Sequence, residues 1–254
     1  MRKNILFLLF VLFISCHTNY QVVDMQGEFV KIDSSFDSLQ SPATLDFISS
    51  RKQMLAAEMS TVLGTASEDI VNRERSFNPL GNLIADVIKT EVEAASNEKI
   101  DFAVVNIGAI RCEIPRGQIT LKQVYELLPF TNTLCVMRMK GSVVQELFEQ
   151  IASRRGEGVS QDVLLTIFLE GELVDAKIRG ERICPDSVYR VATIEYLAEG
   201  NDGMAAFLKA TDLNFLEDIT LRELFIRYVK ELDNEGKTLN SPKDSRIIIR
   251  KTSL

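Results

Sequence analysis

The sequence predicts a mixed α/β domain, a mixed sheet flanked by helices, and three observations carry that expectation. In several segments apolar residues recur at three and four positions, the period of a half-buried helix, while other short runs alternate or are wholly apolar, as strands do. The two kinds of segment interleave along the chain and do not fall into separate blocks. Leu164 to Leu169 and Leu173 to Ile178 flank Glu170-Gly171, an antiparallel hairpin signal, so the sheet is not purely doubly wound. The composition agrees. A chain of 254 residues, 46% hydrophobic and 26% charged, suits one folded domain or two small ones and excludes wholesale disorder. A net charge of −7 argues against neutralising a phosphate backbone, so nucleic acid is not an expected partner.

The elements follow in order. Met1 to Asn4 is a short basic start, and Ile5 to Ile14 is an unbroken apolar run. As a helix that run spans about 15 Å, half a hydrocarbon core, which fits a signal peptide over residues 1–15 and not a membrane span. It ends in Ser15-Cys16, an order that resembles a bacterial lipobox, with Cys16 as the lipidated residue. The expected location is therefore the bacterial cell envelope, as a periplasmic or outer-membrane lipoprotein attached to the membrane through an N-terminal lipid anchor. An ordinary signal peptide cleaved nearby is the alternative.

Residues 16–72 read as an anchored extension of short strands and a helix. Val22, Val23, Phe29, Val30 and Ile32 suit one or two strands, Ser34 to Thr44 a loop, and Leu55, Met59, Val62 and Leu63 a helix ending at Gly64. The organised part covers 73–254. Gly81 to Ala95 puts Leu83, Ile84, Val87, Ile88 and Val92 on one helical face, and Phe102 to Val105 is a buried strand. Thr120 is an N-cap for a helix through Leu128 that Pro129 stops. Leu134 to Met139 alternates as a strand. A helix from Gly141 turns Val144, Leu147, Phe148 and Ile151 inward and ends at Arg154-Arg155-Gly156. Tyr189 to Thr193 is another strand, Thr220 to Leu232 a helix and Arg246 to Arg250 a last strand.

Composition also excludes chemistry. The single histidine, His17, cannot build a binuclear metal site or drive a Ser-His-Asp or Cys-His nucleophile. Ser49-Ser50-Arg51-Lys52 matches S-x-x-K, but no S-D-N or K-T-G partner follows at suitable spacing. Neither glycine-rich phosphate loop motif occurs. Cys112, Cys135 and Cys184 show no C-x-x-C spacing and read as buried free thiols, with pairing of Cys112 and Cys135 left open.

Three loops invite a ligand. Asn106 to Arg111 follows the buried strand and offers small Gly108 and Ala109 beside a planar cation. Leu128 to Asn132 presents Phe130 and an amide in a proline-constrained turn. Tyr196 to Gly203 carries a second aromatic ring and Asp202. Two rings can sandwich a flat heterocycle, and a carboxylate suits sugar hydroxyls. For each loop alone, a core aromatic beside a turn explains the residues as well.

Together the loops sit in a longer pattern. Asn78-Pro79-Leu80-Gly81-Asn82-Leu83-Ile84-Ala85-Asp86, Asn106 to Arg111, Ile119 through Asn132, and Tyr189 to Asp202-Gly203 resemble, in order, four blocks of the C-terminal, substrate-binding domain of the 5′-nucleotidase family. The resemblance implies a single 5′-nucleotidase C-terminal-like domain. It implies that Phe130 and Tyr196 clamp a nucleobase, Asn132 hydrogen-bonds it, and Gly156 approaches it. By the same resemblance Asp202 takes the ribose hydroxyls, and Arg111, with Arg75 as a second cation, faces the phosphate. Ala109, Asn201 and Phe77 depart from the family pattern, the first two at positions where it has glycine.

The family's metal-bearing catalytic half is a metallophosphatase domain, and the roughly 60 mature residues before the match are too few to form it. The expectation is thus a nucleotide- or nucleoside-binding half of a split 5′-nucleotidase, serving nucleotide hydrolysis with a separate metallophosphatase chain. Cofactors are expected to be none in this chain, with divalent metals in the partner. A stand-alone nucleoside-binding lipoprotein is the alternative.

Overall fold

The structure, a computed structural model, describes residues 22–39 and 41–251. The signal segment, His17 and the lipidation candidate Cys16 lie outside them. The chain divides into two units, residues 1–50 and 51–254.

In the first unit, residues 22–32 form no strand, and Val22, Val23, Phe29, Val30 and Ile32 are exposed. β-propensity has nothing to act on there, because a strand needs a partner ladder and a face to bury. A 3₁₀ turn, Ser34–Leu39, leads toward helix α1, Pro42–Met59. This helix starts at Pro42 because proline, missing an amide hydrogen, is well suited to the first helical position.

The second unit holds the end of α1, from Arg51, and the remaining elements. In chain order they are β1 (Val62–Ala66), α2 (Pro79–Ser96), β2 (Phe102–Val105), β3 (Gly117–Thr120), α3 (Leu121–Leu127), β4 (Thr133–Lys140) and α4 (Gly141–Ser153). Then come β5 (Gly158–Val159), β6 (Val163–Phe168), β7 (Leu173–Ile178), β8 (Glu181–Arg182), β9 (Val188–Ile194), α5 (Glu195–Ala198), β10 (Thr211–Thr220), α6 (Leu221–Asn234) and β11 (Ile247–Arg250). Val62 and Leu63, read from sequence as the end of a helix, belong instead to β1. It pairs antiparallel with β3, Ala66 opposite Gly117, so residues 62–66 join the domain and not the extension before residue 73.

The largest sheet has the order β10-β4-β9-β2-β5. Its β2–β9 pair is parallel and its other pairs are antiparallel, so it is mixed, as the interleaved pattern predicts. A second sheet runs β11-β6-β7-β8, with β11 parallel to β6 and β6–β7 forming the predicted hairpin. Interior strand β2 is buried at every residue, and Phe102 packs on Phe148 of α4 with ring centroids 5.2 Å apart. Helix α2 opens with Pro79 after Asn78, whose Oδ1 accepts the Gly81 amide at 2.7 Å, and its apolar face is buried. Thr120 and Thr220 cap α3 and α6 in reciprocal boxes with Gln123 and Glu223.

The C-terminal segment is clasped to this core by Arg246. Its guanidinium is buried and grips both oxygens of Asp86 on α2 at 2.8 and 2.6 Å, the Val159 carbonyl at 2.7 Å and Asp244 at 2.8 Å. The three described cysteines are free: Cys112 half-buried, Cys135 buried and Cys184 exposed, the last against expectation. Burial pushes the Cys135 thiol up to about 12, with Glu195 adding to it.

Candidate functional site

Sheet order decides which loops meet. Strands β2 and β9 are parallel neighbours, so the segments after them emerge at one sheet edge, a common place for a ligand crevice. After β2 comes Asn106 and a 3₁₀ turn, Ile107–Ala109; after β9 come α5 and the turn Asn201–Gly203. The turn from Leu128 to Asn132, between α3 and β4, completes the ring. Together they enclose a pocket of about 370 Å³, within the range of small-molecule sites.

Five of the seven site residues expected from sequence line this pocket: Arg111, Phe130, Asn132, Tyr196 and Asp202, beside Asn106, Gly108 and Ala109. The rings of Phe130 and Tyr196 are left 47% and 40% exposed, a poor use of apolar area unless something flat covers them. The Arg111 guanidinium lies 5.9 Å over the Phe130 ring and donates to the Gly108 carbonyl at 3.3 Å, leaving further donors open. Arg222 buttresses the aromatic turn, donating to the Leu128 and Pro129 carbonyls at 3.1 Å each while stacking 4.3 Å over Tyr125.

Asp202 is the hub of the pocket's polar wall. It sits in the left-handed region at φ 57°, where aspartate is among the few tolerated side chains. Its Oδ2 accepts from Asn106 Nδ2 at 2.7 Å and faces Arg154 at 3.5 Å, while Oδ1 meets only the Tyr196 hydroxyl, at 3.4 Å. The Asp202 charge, burial and their shared hydrogen bond together hold the Tyr196 phenol above its usual range. Asn106 Oδ1 is the one buried side-chain polar atom without a partner among the described residues. Reversing that amide would turn its oxygen toward the Asp202 carboxylate, so the orphaned acceptor is a property of the site.

Arg75 and Gly156 do not line the pocket. Arg75 is paired with the Glu157 carboxylate, one step removed from the cavity. Gly156, at φ 118°, has no side chain for a different reason: a Cβ would lie 2.4 Å from the Arg75 carbonyl, so the glycine makes room for backbone and not for a ligand. Ala109 and Asn201, where the family pattern has glycine, are not among the residues at positive φ and carry no such strain. Asn201 ties its loop to the Tyr196 carbonyl at 2.9 Å. Sequence reading did not single out Asn106, Arg154, Glu157 or Arg222 as site residues. Asn106 opened a quoted loop and Arg154 ended a predicted helix, but nothing local revealed their partners.

Fold and pocket define a small-molecule-binding α/β domain. The family described as 5′-nucleotidase, C-terminal domain matches residues 60–209, and the chain belongs to it. Over 168 residues the chain is 29% identical to Protein UshA of Yersinia enterocolitica, covering 65% of this chain and 30% of that protein. It is 32% identical over 173 residues to the Trifunctional nucleotide phosphoesterase protein YfkN of Bacillus subtilis, covering 61% of this chain and 11% of that one. Among solved structures, a 5′-nucleotidase precursor from Thermus thermophilus aligns with a TM-score of 0.70 at 28% identity, over 82% of this chain and 43% of its own. The chain thus spans less than half the length of these relatives.

Proposed function

We propose that this chain is the nucleotide- or nucleoside-binding half of a split 5′-nucleotidase, working in nucleotide hydrolysis with a separate metallophosphatase chain. The observation that carries the reading is the pocket itself. Two half-exposed aromatic rings, a guanidinium with open donors and a carboxylate with a nearly free oxygen converge on one cavity. Phe130 and Tyr196 clamp the base, Asn132 and the orphaned Asn106 oxygen read polar edges, Asp202 takes the sugar diol and Arg111 faces phosphate. One histidine in 254 residues supports placing the metals in another chain. A lipid on Cys16 would hold the chain at the cell envelope and keep the two halves close.

Calorimetric titration with adenosine, AMP and phosphate, alongside a phosphatase assay with added divalent metals, tests the reading. Binding of adenosine or AMP without turnover is expected, with a metal-dependent phosphatase recovered beside the chain from its source. Binding with no such partner would favour the stand-alone nucleoside-binding lipoprotein. Turnover by this chain alone would overturn the division of labour, and absence of binding would overturn the ligand.

A further inference from the structure

Behind the pocket wall, three donors converge on a carboxylate that belongs to the protein. Glu157 is fully buried. Its Oε1 accepts from Arg75 Nη1 and from Arg154 Nε, the latter at 2.7 Å, and its Oε2 accepts the Ile107 amide at 2.6 Å. Two guanidiniums and an amide at the start of a tight turn are the donor set that a phosphate group would take. The arrangement touches the cavity on two sides. Ile107 begins the turn whose Gly108 and Ala109 line the pocket, and the second arm of Arg154 reaches Asp202 at 3.5 Å.

The charges cancel within this cluster. Arg75 and Arg154 are balanced by Glu157 and Asp202, so Arg111 is the one cationic side chain lining the pocket among the described residues. A buried carboxylate is costly unless paired, and the pairing here engages Nη1 of Arg75 and Nε of Arg154. Each further negative charge on a ligand would therefore meet one cation instead of three, together with the nearby carboxylates.

We propose that Glu157 is a specificity-determining residue, an internal counter-anion that withholds Arg75, Arg154 and the Ile107 amide from the ligand's phosphates. The pocket then selects by base and sugar and gains little from phosphate charge beyond the first group. This rests on the nucleotide-binding reading above and adds to it the residue that limits phosphate recognition.

The test is calorimetric titration of the full chain, wild type and Glu157→Gln, with the adenosine and uridine series from nucleoside to triphosphate. For the wild type the expected monophosphate gain over the nucleoside is about ten- to a hundredfold, with di- and triphosphates no tighter than the monophosphate. Glu157→Gln should hold the nucleoside within about threefold of wild type, tighten the triphosphate about tenfold or more and steepen its salt dependence. A purely structural glutamate would leave the triphosphate-to-nucleoside ratio unmoved, and that result overturns the proposal. So does a wild type that gains tenfold with each phosphate, a measurement that stands even if the variant fails to fold. Wild-type binding to no member of either series is a different outcome, because it removes the nucleotide reading itself and the proposal with it.

Discussion

Arg246 and Arg111 carry the same side chain into opposite surroundings. Arg246 is 3% exposed, and its donors end on two carboxylates and two backbone carbonyls, which clasp the C-terminal segment to α2 and β5. Arg111 lies at the pocket with one long hydrogen bond to Gly108 and the face of Phe130 beneath it. A guanidinium with every donor placed is a tie. One that is held in position yet left under-bonded is ready for a ligand. Arg75 and Arg154 show that position near a pocket is not enough, since Glu157 has already claimed them.

This comparison can be broken at its structural end first. Arg246→Met leaves the partly buried Asp86 without its cation and the Val159 carbonyl without its donor, and should cost about 2–4 kcal/mol in denaturant unfolding, with the slope unchanged. At the ligand end, Arg111→Gln should leave that unfolding curve within about 0.5 kcal/mol of wild type. Its expected loss of AMP binding is about 1.5–3 kcal/mol, with adenosine little affected, as read by calorimetry. Equal losses for both ligands would move Arg111 from the phosphate to the base.

Phe130→Ala removes one ring of the proposed clamp and the platform under Arg111. A loss of about 1–3 kcal/mol of nucleoside binding is expected, without a matching loss of stability because the ring is half-exposed. The smallest effect belongs to Glu68, which Lys243 and Ser241 hold down at about 2. A carboxyl depressed on folding adds stability above its unfolded value of 4.5, and that stability fades as pH falls through about 2. Thermal melts from about pH 5 down to about pH 2 should therefore decline less for Glu68→Gln than for wild type. A parallel decline would show that the Lys243 contact does not couple to folding.

Local signals were enough for much of this molecule. Asn78-Pro79 starts α2, the Thr120 box starts α3 and Pro129 stops that helix before Phe130, because caps and proline act within one turn of helix. The buried run of β2, the inward face of α4 and the hairpin at Gly171 were equally legible, since period and turn chemistry need no distant partner. The five pocket residues sit on three loops that stood out locally, and the family resemblance gave them their roles. Tertiary structure decided the rest. Strands β1 and β10 lack a clean alternation and exist through their pairing with β3 and β4. Gly156 serves the backbone of Arg75, 81 residues away along the chain, and Glu157 collects donors from positions 50 and 82 residues distant. Hydrogen bonds and charges act over a few ångströms of space, whatever their separation in sequence. Which arginines are spent and which is left open could be known only once the chain had folded.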